Sequence, residues 1–173
     1  IAIWHWDGAT WTEVLGLGSG TLRSVDMVSA SNGWAVGDEG AVYHWTGSRW
    51  DGIGTPTRQN LSEVVVLPGN NVWIVGDYGT ILHWAGGHWD QVPSPTINNL
   101  YSIVMLSENQ GWAVGGYPGS GTIIHWNGRT WDLWPRLVKK EIFSISVAGG
   151  SMWACGAQGE FLQHTALATQ RFI

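Results

Sequence analysis

Gly33-Trp34-Ala35-Val36-Gly37-Asp38-Glu39-Gly40, followed after three residues by His44-Trp45-Thr46-Gly47-Ser48-Arg49-Trp50, decides the fold, because the chain spells it out repeatedly. Trp34 returns as Trp73 and Trp112, each 39 residues further on, and again as Trp153. Ten residues beyond Trp34 and Trp73 stand His44-Trp45 and His83-Trp84. Three extra residues within Gly116–Gly121 delay the third pair to His125-Trp126. Six residues after each His comes another Trp: Trp50, Trp89 and Trp131. The N-terminus carries this second half alone, as His5-Trp6 and Trp11. Leu22, Leu61 and Leu100 open three parallel segments 39 residues apart, and Ile142 opens a fourth after 42. Self-similarity with a period near forty residues is the signature of a repeat architecture.

Each repeat divides into four strand candidates. The first is a short β-branched run, such as Glu63-Val64-Val65-Val66-Leu67, apolar on both faces as an innermost buried strand should be. The second is Trp34-Ala35-Val36-Gly37 and its copies, the third Thr80-Ile81-Leu82-His83-Trp84 and its copies. The fourth starts at the last Trp, as in Trp89-Asp90-Gln91-Val92. Asp7-Gly8, Thr46-Gly47, Ala85-Gly86 and Asn127-Gly128 separate the last two; Asp-Gly and Asn-Gly are strong hairpin signals because such turns need positive φ. No segment of helical period separates the strands, which excludes βαβ architecture. The expectation is an all-β chain, a β-propeller of four-stranded antiparallel blades with four to five blades present. Residues 1–173 read as one propeller domain or propeller fragment. It comprises a half-repeat at 1–21, repeats at 22–60, 61–99 and 100–140, and a degenerate repeat at 141–173.

The stretch from Gly33 to Trp50 resembles the blade repeat of BNR-type propellers, and is most similar to photosystem II stability/assembly factor-like proteins. These share a W-x-V-G-x-x-G-x-I pattern followed by D-G-G-x-x-W. The likeness runs over nearly the whole chain and implies the propeller fold. One part of the Asp-box pattern is missing. Trp6, Trp45, Trp84 and Trp126 stand where its acidic residue belongs, two before the Gly, while the Gly-x-x-Trp half is kept.

The chain starts and stops out of phase with the repeat. In the last copy Gln163 takes the place of His, His164 that of Trp, and no Gly-x-x-Trp follows. Two closures are open. In one, the N-terminal half-repeat pairs with the strands near Phe143 and Trp153 to zip a four-bladed ring, leaving Phe161 to Ile173 as a spare strand or tail. In the other, preferred here because an open array leaves an exposed strand edge, the chain is a piece of a larger propeller or a part-ring completed by a second chain.

Composition narrows the function. Only 12% of residues are charged, with net charge −5 and eight Lys plus Arg in no run longer than Lys139-Lys140, which argues against nucleic acid as a partner. No apolar stretch is long enough for a membrane-spanning helix. There is no G-x-S-x-G, no HExxH and no phosphate loop, so neither an enzyme nor a bound cofactor is expected. The repeated His residues do not converge in a radial array, and each reads as satisfying a local hydrogen bond rather than holding metal; His88, out of register, reads as solvated. The repeated Trp residues read as filler between blades, with Trp134 outside the pattern. Cys155 stands where other repeats have Val and reads as a small buried apolar residue.

The loops differ between repeats while the strands stay constant, which is how a rigid scaffold builds a binding face. The second-to-third and fourth-to-first connections share one face of the disc. From that face Asp38, Arg58, Asp77, Tyr78, Tyr117 and Lys139 are taken as candidate binding residues. The expected role is a non-catalytic scaffold outside the cytoplasm that binds a protein partner or a copy of itself, as ring completion or oligomer. A lectin-like module stacking glycan on blade-edge Trp residues and a structural subunit of an extracellular assembly are the alternatives.

Overall fold

The computed structural model describes residues 2–16, 20–135 and 138–164, which form antiparallel sheets throughout. β1 (Ala2–Trp6) and β2 (Trp11–Gly16) make a hairpin. The first blade is β3 (Leu22–Ser29), β4 (Asn32–Gly37), β5 (Val42–Trp45) and β6 (Trp50–Gly52). The second is β7 (Leu61–Leu67), β8 (Asn71–Gly76), β9 (Ile81–Ala85) and β10 (His88–Gln91). The third is β11 (Asn99–Ser107), β12 (Gln110–Tyr117), β13 (Ser120–Trp126) and β14 (Trp131–Leu133). The last has three strands among the described residues, β15 (Ile142–Ala148), β16 (Ser151–Gly156) and β17 (Phe161–His164). This is the β-propeller that the repeat predicts.

Local chemistry explains the regularity. The opening residues Leu61, Leu100 and Ile142 are buried, and a bulge follows each of them in the first-to-second strand pairing. Asp7 and Asn127 close their hairpins by accepting two backbone N–H bonds each, from Ala9 and Thr10 and from Arg129 and Thr130, at 2.8 to 3.0 Å. Neighbouring blades are joined along their inner strands by a repeated device. The side chain two residues after the opening position accepts the main-chain N–H of the next blade. Ser24 accepts from Val64 (3.3 Å), Glu63 from Ile103, and Ser102 from Ile145 (3.2 Å).

The core is a series of slabs, one per joint between blades. Trp34, Val36 and Val42 meet Val64, Ile74 and Leu82; Trp73, Val75 and Ile81 meet Ile103, Ala113 and Ile124. Trp112, Val114 and Ile123 meet Ile145, Ala154 and Leu162. In the first two slabs the second-strand Trp is a knob in a socket made by two Trp rings of the next blade. Trp34 lies 5.3 Å from Trp84 and 5.5 Å from Trp89, and Trp73 lies 5.0 Å from Trp126 and 5.8 Å from Trp131, centroid to centroid. The last blade has no Trp pair to offer Trp112. Trp134, from the loop entering that blade, fills the place edge-on at 4.7 Å and reaches His164 at 5.7 Å.

Three expectations need correction at the ends of the array. The hairpin does not pair with the strands near Phe143 and Trp153. It forms its own sheet, packed through Ile3 and Val14 on the first blade, while β16 pairs with β15 and β17. The first blade's inner strand is not buried on both faces: Val25 is 57% exposed where its counterpart Val64 is 4%. A hairpin of outer-strand type covers only the outer half of the face it packs on. Cys155 is exposed, not buried, because its position is covered only by a following blade. Of the expected spare strand or tail, Phe161 to Ile173, the first part Phe161–His164 is the third strand of the last blade, paired with β16, and 165–173 lies outside the described residues.

Candidate functional site

The loop face is built on a turn that recurs in three blades. Asp38–Gly40, Asp77–Gly79 and Ala157–Gly159 each make one 3-10 turn, closed by the N–H of Ala41, Thr80 or Glu160 on the first carbonyl at 3.0 to 3.1 Å. The middle residue is left-handed in all three: Glu39 at φ 57°, Tyr78 at 54° and Gln158 at 54°. That region is unfavourable for a bulky side chain and needs support from its surroundings. The support is visible. Gly79 follows at φ 67°, and a Cβ there would meet the Thr96 carbonyl oxygen at 2.0 Å, so the turn lies flush on the next crossing segment. Asp77 N–H donates to the Asn60 carbonyl (2.9 Å), as Asp38 N–H does to Thr21.

Two asparagines stitch the face together. Asn60 accepts from the Glu39 N–H (3.2 Å) and donates through Nδ2 to the Asp77 carboxylate (3.0 Å), linking the first two blades. Asn99 accepts from the Tyr78 N–H at 3.0 Å. Neither was among the sequence candidates, although both stand immediately before the opening Leu and 39 residues apart. Of the six candidates, Asp38 and Asp77 are committed to the scaffold. Asp38 pairs with Arg23 Nε at 2.5 Å, and that hydrogen bond holds its carboxyl below the usual range. Tyr78 and Tyr117 are free, 70% and 57% exposed, on equivalent loops of adjacent blades. Arg58 is exposed and lines a groove of about 430 Å³ together with Glu39, Tyr43 and Ile53. Lys139 is exposed beside buried Val138, and its neighbours Arg136 and Leu137 fall outside the described residues. The face thus offers two aromatic rings, a cation and a carboxylate: Tyr78 and Glu39 on 3-10 turns, Tyr117 at the end of β12 and Arg58 on the crossing between the first and second blades.

The other polar stripe is structural. The Nε2–H of His44 donates to Asn32 Oδ1 and that of His83 to Asn71 Oδ1, both at 2.8 Å. Their rings stack on Trp34 and Trp73 at 4.3 and 4.1 Å. His88 is exposed, 3.3 Å from Asp90. Among the described residues no cluster of three His, Cys, Asp or Glu is placed to hold a metal. Burial lowers the pKa of His44, His83 and His125. A lowered folded value means the unfolded chain binds protons first. This stabilisation is complete above about 6.5 and is lost as pH falls from there through the folded values. Glu63 acts in the opposite sense: burial raises its pKa, so its contribution declines as pH rises above about 4.5. Replacing His83 with Gln, the residue found at the equivalent position 163, isolates the histidine effect. Urea titrations at about pH 7.5 and pH 5 should show a smaller acid loss of stability in H83Q than in the unsubstituted protein; equal losses would rule out His83 as a source.

Neither a family model nor a curated protein matches the chain in sequence. Solved structures match it in fold. YCF48 from Cyanidioschyzon merolae superposes with a TM-score of 0.72 at 19% identity, over 92% of this chain and 58% of that one. YCF48 bound to D1 peptide gives 0.65 at 14%, over 92% and 55%. Virginiamycin B lyase from Staphylococcus aureus gives 0.72 at 11%, over 95% and 62%. The extracellular domain of a two-component system protein from B. thetaiotaomicron gives 0.63 at 13%, over 86% and 21%. The chain therefore spans a little over half the length of the YCF48 structures. The expected likeness to photosystem II assembly factor-type propellers is met in the fold, and fold similarity by itself assigns no activity.

Proposed function

We propose that the chain is a non-catalytic propeller scaffold that captures an extended segment of a partner protein on its loop face, outside the cytoplasm. The observation that carries this reading is Tyr78. All three turns hold their middle residue left-handed, and only this one places a large aromatic ring there, 70% exposed at the tip, the kind of group that dominates binding hot spots. Tyr117 on the next blade and Arg58 beside the groove extend the surface with the residue types that dominate binding hot spots. A propeller of the same fold has been solved bound to D1 peptide, and another neighbour is an extracellular domain; both support the reading by analogy.

The test is a triple variant, Tyr78→Ala, Tyr117→Ala and Arg58→Ala. All three side chains are exposed, so the unfolding free energy should stay within about 1 kcal/mol of the parent's. Partner capture from the native source should fall at least tenfold. Unchanged capture by the folded variant would sink the loop face as the site.

A further inference from the structure

We propose that a second copy of this chain docks head to tail on the array, with Trp153 of one copy seated between Trp6 and Trp11 of the next. The proposal concerns the two end faces and does not depend on the loop face. It rests on a joint that the chain already makes internally at two places, with the same residues at the same repeat positions.

Among the described residues, the C-terminal end carries the knob without a socket against it. The outward face of the last blade is fixed by register: Trp153 lies opposite Ser146 and Gln163, and Cys155 opposite Ser144 and Phe161. In the other blades the counterparts of Trp153, Cys155 and Phe161 are Trp, Val and Val or Ile, all buried by the blade that follows. Here Trp153 is 38% exposed and Phe161 and Cys155 are exposed as well. The N-terminal end, among the described residues, carries the socket without a knob in it. Trp6 and Trp11 lie 5.7 Å apart at 44°, within the range of the occupied pairs Trp84–Trp89 (5.1 Å, 58°) and Trp126–Trp131 (5.7 Å, 39°). Both rings are exposed, Trp11 by 63%, and Trp4 lies exposed beside them. A ready-made socket at one end and a matching knob at the other make a heterologous interface, the kind that builds rings or chains. It also removes exposed aromatic surface from water at both ends.

The experiment uses the full chain and two variants, W153A and W6A/W11A. Light scattering with size-exclusion chromatography gives the mass, and the single thiol of Cys155 gives a second readout through its reaction with a maleimide. The parent chain should associate beyond its 18.9 kDa monomer mass and protect Cys155 as concentration rises. Each variant alone should stay monomeric and, by circular dichroism, folded. An equimolar mixture of the two restores one intact joint and should run at twice the monomer mass. A parent chain that stays monomeric at every concentration overturns the proposal; if its thiol is also unreactive, the ends have closed within one chain. Association that survives both substitutions overturns it too. So does association that the mixture fails to restore, which would mean like-with-like pairing.

Discussion

Trp73→Ala should cost about 3–5 kcal/mol, the range for truncating a fully buried aromatic core residue. Trp73 is 1% exposed and touches three rings at once: its own blade's His83, and Trp126 and Trp131 of the next blade. Removing the indole empties the middle of the joint. The walls cannot close in, because each ring is tethered to a strand whose other face packs elsewhere. Trp153→Ala is the internal control. It deletes the same chemistry from the same repeat position, but from a half-open surface, and at concentrations where the chain is monomeric should cost far less than Trp73→Ala. Urea denaturation followed by far-UV circular dichroism measures both. Equal losses would mean that the joints do not carry the stability attributed to them.

The second large effect is expected at Gly76. Its φ of −169° is ordinary extended backbone, so torsion gives no reason for glycine. Space does: a Cβ would come within 2.2 Å of the Asn60 carbonyl oxygen and 3.1 Å of Leu61 Cα, both main-chain atoms that cannot rotate aside. Gly37, Gly115 and Gly156 meet the incoming chain in the same way. Gly76→Ala must push the fourth-to-first crossing outward and break the Asp77–Asn60 bond beneath Tyr78. Overpacking costs of about 1–3 kcal/mol are usual, and backbone-on-backbone contact puts this substitution at or above the upper end. Gly54→Ala, with nothing within 4 Å and no positive φ, should change stability by less than about 0.5 kcal/mol. Chemical denaturation compares the two, and the G76A protein should also lose partner capture because its turn is displaced.

These effects show why the fold was legible in the sequence and the site only partly so. Trp34, Trp73 and Trp112 recur because each fills an identical joint, and the Gly closing each Trp-x-Val-Gly recurs because each crossing needs the same clearance. A constraint that repeats in space leaves a period in the sequence. Burial at the ends does not follow from the period. Cys155 and Val25 occupy positions that are interior in every covered blade, and only the arrangement of sheets reveals that no described residues cover them. The loop face falls between these cases. Tyr78 and Tyr117 stood out as departures from the repeat, whereas Asp38 and Asp77 turned out to be committed to a salt bridge and an asparagine bond. Asn60 and Asn99 were missed because their work is done across a blade boundary. Trp134 looked like an irregularity and is a substitute, supplying from a loop the ring that the sequence of the last repeat does not provide.

The slab-like core has a further consequence, for cooperativity. The Trp knobs, their sockets and the inner-strand hydrogen bonds each link a blade to its immediate neighbour, so stability is a sum of nearest-neighbour terms along the array. Such an array has no single melting event built into it. Its middle is held from both sides and its ends from one, and amide exchange should therefore be slowest in β8 and β12 and fastest in β1 and β3. A blade array of this kind frays like a stack of coins, inward from whichever end is left uncovered.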